Sequence, residues 1–319
     1  MPIVEDISYR PPFWLRNGHL NTIYAGLMRK VETPNYRRSI IRTLDDDFVM
    51  IDRLSKGFNR LAVICHGLEG SSQSNYIMSL APYLHKHGFD ILCINFRSCG
   101  GVMNRRLQMY HSGDTSDLHM VLKYHQDAYR TIDLIGFSLG GNVILKYLGE
   151  DPTKVHHKVN RAVAISVPVD LEAGARRLTE WQNYPYSQLF LRSLKEKVRK
   201  KAEKFPDQVD IERLSEVRNV IDFDETYTGP IHGFDGAADY YARSSSLQYL
   251  EYIDKPTLLI NSKDDPFLSK SCFPISKARD SENLYLYAPQ YGGHVGFIPQ
   301  SGNAAHHEEV SRDFLLSDK

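Results

Sequence analysis

The stretch Gly136-Phe137-Ser138-Leu139-Gly140-Gly141 lies directly after a β-rich run at 131–135 and directly before a helical run at 142–148. A serine on so sharp a strand-to-helix turn projects its hydroxyl above the sheet edge, and the flanking glycines remove Cβ atoms that would clash there. The first turn of the following helix aims free backbone N–H groups at the same spot. The bare Gly-x-Ser-x-Gly pattern arises by chance in about one chain in ten of this length. The context therefore carries the reading, and Ser138 is expected to be a nucleophile rather than part of a structural glycine turn.

Outward from this turn, short buried-type runs at 61–65, 91–96, 132–135, 162–167, 257–260 and 284–287 alternate with helical segments at 75–87, 116–127, 139–148, 239–249, 269–278 and 304–316. That rhythm predicts a mostly parallel sheet covered by helices. Two runs at 39–44 and 48–54, separated by Asp45-Asp46-Asp47, read as an opening hairpin. The rhythm stops between residues 170 and 234. There Leu191, Leu194, Val198, Ala202 and Phe205 recur at spacings of three and four, which predicts a helical insertion. The expected organisation is a catalytic domain over 1–169 and 235–319, with 170–234 as a helical cap. From Arg192 to Lys204 the insertion holds seven Lys or Arg against Glu196 and Glu203. Two readings stand: a solvated helix face whose apolar stripe packs on the main domain, or a weak contact with an anionic membrane surface.

A serine needs a base, and the base needs an orienting acid. The run Leu258-Leu259-Ile260 breaks into Asp264-Asp265-Pro266 at its C-terminal end, where α/β sheets place ligands. Asp265 is favoured as the acid because it lies farther beyond the strand end, with Asp264 bracing the loop; the reverse assignment is the alternative. Among thirteen histidines, His294 stands after the final strand in Gln290-Tyr291-Gly292-Gly293-His294-Val295-Gly296-Phe297, whose glycines let a loop carry the ring toward Ser138. For the developing oxyanion, His66-Gly67-Leu68-Glu69-Gly70 ends the run at 61–65. The expected donors are the backbone N–H groups of Leu68 and of Leu139, the residue after the serine. Glu69 is an unusual neighbour for such a hole. The pairs His156-His157 and His306-His307 lack metal-ligand spacing and are expected at the surface.

The whole chain excludes several classes. Its 319 residues can bury about 75% of the unfolded surface without disulfides or metal. Lys plus Arg and Asp plus Glu are 39 each, so no net field draws a nucleic-acid backbone, and nucleic acid is not an expected partner. Cys65, Cys93, Cys99 and Cys272 form no CxxC pair and no zinc spacing, so reduced thiols are expected. Glu5, Asp6 and Arg10 interrupt the N-terminus where a signal peptide would be apolar, and no run is long enough to span a membrane. A cytoplasmic location follows as the expectation.

Together these motifs resemble the YheT-like group of α/β-hydrolases, which also contains the eukaryotic ABHD-type lipid-ester hydrolases. The resemblance spans almost the whole chain. It includes Leu15-Arg16-Asn17-Gly18-His19-Leu20-Asn21-Thr22, Asn95-Phe96-Arg97-Ser98-Cys99-Gly100, Tyr110-His111-Ser112-Gly113, Phe223-Asp224 and Gly233-Phe234. It implies an α/β-hydrolase fold with a helical cap, the triad Ser138-Asp265-His294, the oxyanion donors Leu68 and Leu139, and cleavage of small-molecule or lipid acyl esters through an acyl-enzyme. No cofactor and no metal are required by that chemistry. His19 and Arg97 are candidates to line the pocket. Acyl transfer or thioester cleavage at the same site is the alternative within enzymes, and a ligand-binding protein on a hydrolase scaffold is the alternative outside them.

Overall fold

In the computed structural model, residues 3–4, 9–302 and 304–317 are described. Glu5 and Asp6 of the N-terminal reading lie outside them. Among the described residues the strands are β1 (Ile3–Val4), β2 (Arg37–Arg42), β3 (Phe48–Leu54), β4 (Arg60–Cys65), β5 (Asp90–Asn95), β6 (Thr131–Phe137), β7 (Val159–Ile165), β8 (Thr257–Ile260) and β9 (Leu284–Tyr287). They form one sheet in the order β1-β9-β8-β7-β6-β4-β5-β3-β2. The hairpin β2–β3 is antiparallel, β3 joins β5 antiparallel, and the remaining pairs are parallel. The helices are α1 (Gly18–Ile23), α2 (Asn75–Lys86), α3 (Ser116–His125), α4 (Leu139–Glu150), α5 (Leu171–Thr179), α6 (Tyr184–Lys204), α7 (Val220–Phe223), α8 (Gly229–Ile231), α9 (Gly236–Ser244), α10 (Ile275–Asp280) and α11 (His306–Leu316).

Alternation along the strands explains the layers. In β4, Leu61, Val63 and Cys65 face a core shared with α3, α4 and α10, while Ala62 and Ile64 face the opposite core with α2 and α11. A sheet buried on both faces needs continuous apolar strands, and β4 through β9 supply them. The register matters most for the site. Cys65 pairs with Gly136, Phe137 with Ile165, Ile165 with Ile260, and Ile260 with Tyr287. Five parallel strands therefore end at one level, and the chain leaving each is delivered to the same edge of the sheet.

The segment between β7 and β8 folds as helices α5 to α9. The apolar stripe of α6, Leu191, Leu194, Val198 and Ala202, packs with Met109, Leu214, Phe223 and Tyr227 in a separate small core. A second small core joins Leu171, Ala175 and Val220 to Ala237, Tyr240 and Tyr241 of α9.

Two expected helices are shorter than the periodicity suggested. The run at 239–249 divides after Ser244, because buried Asn142 of α4 donates to Ser244 O (2.8 Å) and accepts the Ser246 N–H (2.9 Å), taking groups that a continuous helix would use. The run at 269–278 divides at Pro274, which precedes α10 and has no N–H to continue a helix.

Candidate active site

Ser138 sits between β6 and α4 at φ 50°, ψ −117°. Left-handed backbone is unfavourable for a residue with a Cβ, at about 1–3 kcal/mol, and persists only where the surroundings impose it. They do. A Cβ on Gly136 would lie 2.5 Å from Gly140 O, and one on Gly140 would lie 2.5 Å from His66 O. The turn is thus clamped between its own helix and the end of β4.

His294 lies on the loop after β9 and Asp265 on the loop after β8. Nδ1 of His294 is 2.9 Å from Oδ2 of Asp265 and 3.2 Å from Oδ1. The Asp265 carboxylate is fully buried, and its Oδ1 also accepts the Phe267 N–H at 2.9 Å. Phe267 stands 4.4 Å from the imidazole, ring centre to ring centre. Asp264 faces elsewhere: its Oδ1 accepts the Gly293 N–H at 2.9 Å, bracing the histidine loop, and burial raises its carboxyl above the ordinary carboxylate range.

Four further side chains hold that loop, and sequence reading missed all of them as site residues. Thr22 of α1 accepts the His294 N–H (2.8 Å). Ser166, at the end of β7, accepts the Val295 N–H (2.9 Å), and Ser262 donates to Gly293 O (2.9 Å). Asn21, also of α1, is buried where a Cβ on Gly296 would strike its Oδ1. Gly18 is indispensable here, because a Cβ would meet Asp264 O at 1.8 Å. The Leu15–Thr22 motif thus serves as a bracket beneath the histidine loop.

Leu68 lies on the turn after β4. The neighbouring N–H groups are taken: Gly67 donates to Tyr76 Oη (3.0 Å) and Glu69 to Tyr110 Oη (2.8 Å). Leu139 is the first residue of α4, so its N–H has no intrahelical acceptor. His66 steadies the turn from beneath. It accepts the Phe96 N–H at Nε2 (3.1 Å), so its other nitrogen donates to Gly67 O (2.7 Å), and burial lowers its pKa to about 3.

Ser138, His294, Leu68 and Leu139 line one cavity of about 300 Å³, which extends between the sheet edge and helices α5 to α9 under a mostly apolar lining. The family model described as "alpha/beta hydrolase fold" matches residues 62–300, from β4 through the histidine loop. The chain belongs to the α/β-hydrolase family. Relatives of this hydrolase include the Escherichia coli protein named "Putative esterase YheT", 32% identical over 304 residues that cover 92% of this chain and 88% of that one. The human "Monoacylglycerol lipase ABHD2" is 28% identical over 92% of this chain and 75% of its own length. Among solved structures, the Pyrococcus furiosus esterase Pf2001 overlays with a TM-score of 0.59 at 19% identity, covering 90% of this chain and 97% of that one, a likeness of fold.

Several expectations for the hydrolase need correction. Arg97 does not line the cavity: its guanidinium is spent on Asp117 (2.8 Å) and Asp45 (2.7 Å). Nor does His19, which stacks at 5.9 Å on Tyr186, itself a lining residue. His156 and His307 are buried rather than at the surface. His307 lies edge-on between Phe137 and Phe297, with neither ring nitrogen partnered among the described residues, and burial lowers its pKa to about 3. Among the described residues no group of three His, Cys, Asp or Glu is placed to hold a metal ion. All four cysteines are buried free thiols.

The basic stretch of α6 is largely committed to the protein's own acceptors. Lys195 donates to Leu214 O (3.0 Å) and Val217 O (2.6 Å), Lys201 to Asn104 Oδ1 (2.7 Å), and Lys204 to Arg105 O (2.5 Å). Lys197 reaches Glu69 Oε1 at 2.7 Å and Cys99 Sγ at 3.2 Å. Glu69 also accepts from Tyr110 Oη (2.7 Å) and from the Ser193 hydroxyl. This buried cluster answers why an acid stands beside the Leu68 turn: it fastens that turn to α6.

Proposed function

We propose that this hydrolase is a serine esterase acting on acyl esters, lipid esters among them, through an acyl-enzyme on Ser138. The observation that carries the reading is the buried His294–Asp265 pair, 2.9 Å apart, at the wall of the apolar cavity that Ser138 also lines. With Nδ1–H held by Asp265, the free Nε2 is the nitrogen that accepts a proton. It takes the Ser138 hydroxyl proton as Oγ attacks the ester carbonyl. The oxyanion accepts hydrogen bonds from the Leu68 and Leu139 N–H groups. Collapse breaks the carbonyl–alkoxy bond, and the imidazolium returns its proton to the departing alkoxide. Water then enters and attacks the acyl carbon while giving a proton to His294, and as the bond to Oγ breaks the imidazolium passes that proton to Ser138, releasing the acid and restoring the hydroxyl.

An apolar cavity at the low end of small-molecule site volumes supports an acyl chain rather than a highly polar substrate. The names of the relatives, an esterase and a monoacylglycerol lipase, support the same class. Ser138→Ala is expected to lower kcat on p-nitrophenyl esters by at least about 10⁴-fold and to abolish labelling by a fluorophosphonate probe. A wild-type protein that the probe leaves unlabelled would overturn the assignment. A panel of esters graded by chain length then reads the cavity, and turnover only when an alcohol or amine acceptor is present would favour acyl transfer.

A further inference from the structure

Helix α1 is inside out. Its inward positions are Gly18, Asn21 and Thr22, at i, i+3 and i+4, and they hold the histidine loop through small or polar groups. Its outward stripe is Leu20, Ile23 and, in the π turn Tyr24–Met28 that continues it, Leu27, at i, i+3 and i+7. These side chains are 50%, 38% and 76% exposed, and Met28, Phe13 and Trp14 beside them are 64%, 81% and 47% exposed. Trp14 packs edge-on against Tyr24 at 5.2 Å, which joins the turn before α1 to the turn after it in one apolar patch. A soluble surface helix carries the opposite pattern, and contiguous exposed apolar groups mark contact surfaces.

The patch is continuous with the candidate active site. Ile23 and Leu27 are exposed and also line the cavity that holds Ser138 and His294, as does Leu189 of α6, itself 60% exposed. Its charge is one-sided. Residues 13–30 contain Arg16, Arg29 and Lys30 and no Asp or Glu, with Glu32 the first acid after them, although the whole chain is neutral. Arg29 is tied to Ser79 and Glu308, while Arg16 and Lys30, at the two ends of the segment that carries the apolar groups, are exposed. A short amphipathic segment with its apolar side chains outward and cations beside them is suited to lie on a bilayer.

We infer that the segment from Phe13 to Lys30 docks on an anionic lipid surface and sets the cavity mouth against it, so that an ester leaves the bilayer directly into the cavity. Apolar side chains supply insertion, tryptophan and tyrosine suit the headgroup boundary, and the exposed cations select anionic lipid. The inference rests on the ester-hydrolase reading for its purpose, and its test separates the two.

Vesicles of phosphatidylcholine, with and without phosphatidylglycerol, are co-sedimented with wild type and with the triple variant Phe13→Gln, Leu20→Gln, Met28→Gln, none of whose positions lines the cavity. Wild type is expected to bind the phosphatidylglycerol vesicles, less so at high salt, and the triple variant to bind about tenfold or more weakly. Arg16→Gln with Lys30→Gln should remove the preference for phosphatidylglycerol. The triple variant should hydrolyse a short soluble ester as wild type does, which also shows that it is folded, and should lose turnover of a long-chain ester presented in vesicles. The inference falls if wild type ignores both vesicles, if the triple variant binds them equally, or if the patch instead makes a dimer that the variant disperses in light scattering. Absence of soluble-ester turnover in wild type would sink the hydrolase reading while leaving vesicle binding to be read on its own.

Discussion

Asp264 and Asp265 are adjacent and chemically identical, yet the loop after β8 turns them to different tasks. Asp265 meets the imidazole, whereas Asp264 meets the backbone N–H of Gly293. Asp265→Asn is expected to lower kcat by about 10⁴-fold, because an amide no longer enforces the Nδ1–H tautomer. Asp264→Asn keeps a carbonyl oxygen for Gly293 and should lose less than about tenfold, since a hydrogen bond of this kind is worth about 1 kcal/mol. Steady-state kinetics on a p-nitrophenyl ester decide it, and a larger loss for Asp264→Asn reverses the assignment. Ser138, Asp265 and His294 were legible because each follows a strand and carries its own local signal: glycines, a break into acids, a glycine-rich loop. Thr22, Ser166, Tyr110 and Lys197 were not. Each acts on a residue at least forty positions away in sequence; Thr22 and Tyr110 stood inside recognisable motifs but nothing local told what they would hold, and Ser166 and Lys197 carried no signal at all.

At the scale of elements, the Leu68 turn is fastened on one side by Tyr76 of α2 and on the other by Glu69, Tyr110 and Lys197 of α6. Removing one member of a buried ion pair leaves the other uncompensated, at a cost of about 3–5 kcal/mol. Lys197→Met and Glu69→Gln are each expected to destabilise the fold and to lower kcat, because the Leu68 turn loses its fastening to α6. The double variant should recover part of both losses. Urea unfolding and kcat measured through the full cycle test this, and strictly additive losses would show that the pair does not couple α6 to the turn. On the other side of the site, Gly18→Ala should push α1 off Asp264 and reduce activity more than tenfold although it leaves Ser138, His294 and Asp265 untouched; rates equal to wild type would show that α1 does not position the histidine loop. The alternation of strand and helix was legible from apolar periodicity. The breaks at Ser245 and Pro274, and the outward apolar stripe of α1, depend on which partner occupies each face, a fact that no single segment contains.

For the whole molecule, buried titratable groups set the response to acid. His66 and His307 are held neutral by burial with pKa values of about 3, and His232 and His111 are lowered to about 3 and about 4 by the same cause. Below about pH 6.5 the unfolded chain binds protons that the folded one refuses, so stability present above that value is lost as pH falls. His66 and His307 each remove about 2 kcal/mol by pH 5. Asp133 and Asp224, raised by burial to about 6, act in the opposite sense: they protonate more readily when folded and offset part of the loss below pH 6. The melting temperature should therefore begin to fall near pH 6.5 and keep falling down to about pH 5, less steeply than the histidines alone would make it. His307→Phe, which places an apolar ring between Phe137 and Phe297, should reduce the slope; an unchanged slope in calorimetry would mean that His307 is not neutral in the fold. The His294 N–H and the Thr22 hydroxyl that receives it are 272 residues apart. At about 5–20 residues per second, a ribosome needs roughly 15 to 55 seconds after making α1 before the loop it supports exists. For that interval α1 stands without the loop it supports, held only through the turn after it, where Asn75 and Ser79 of α2 meet Gly26 and Arg29.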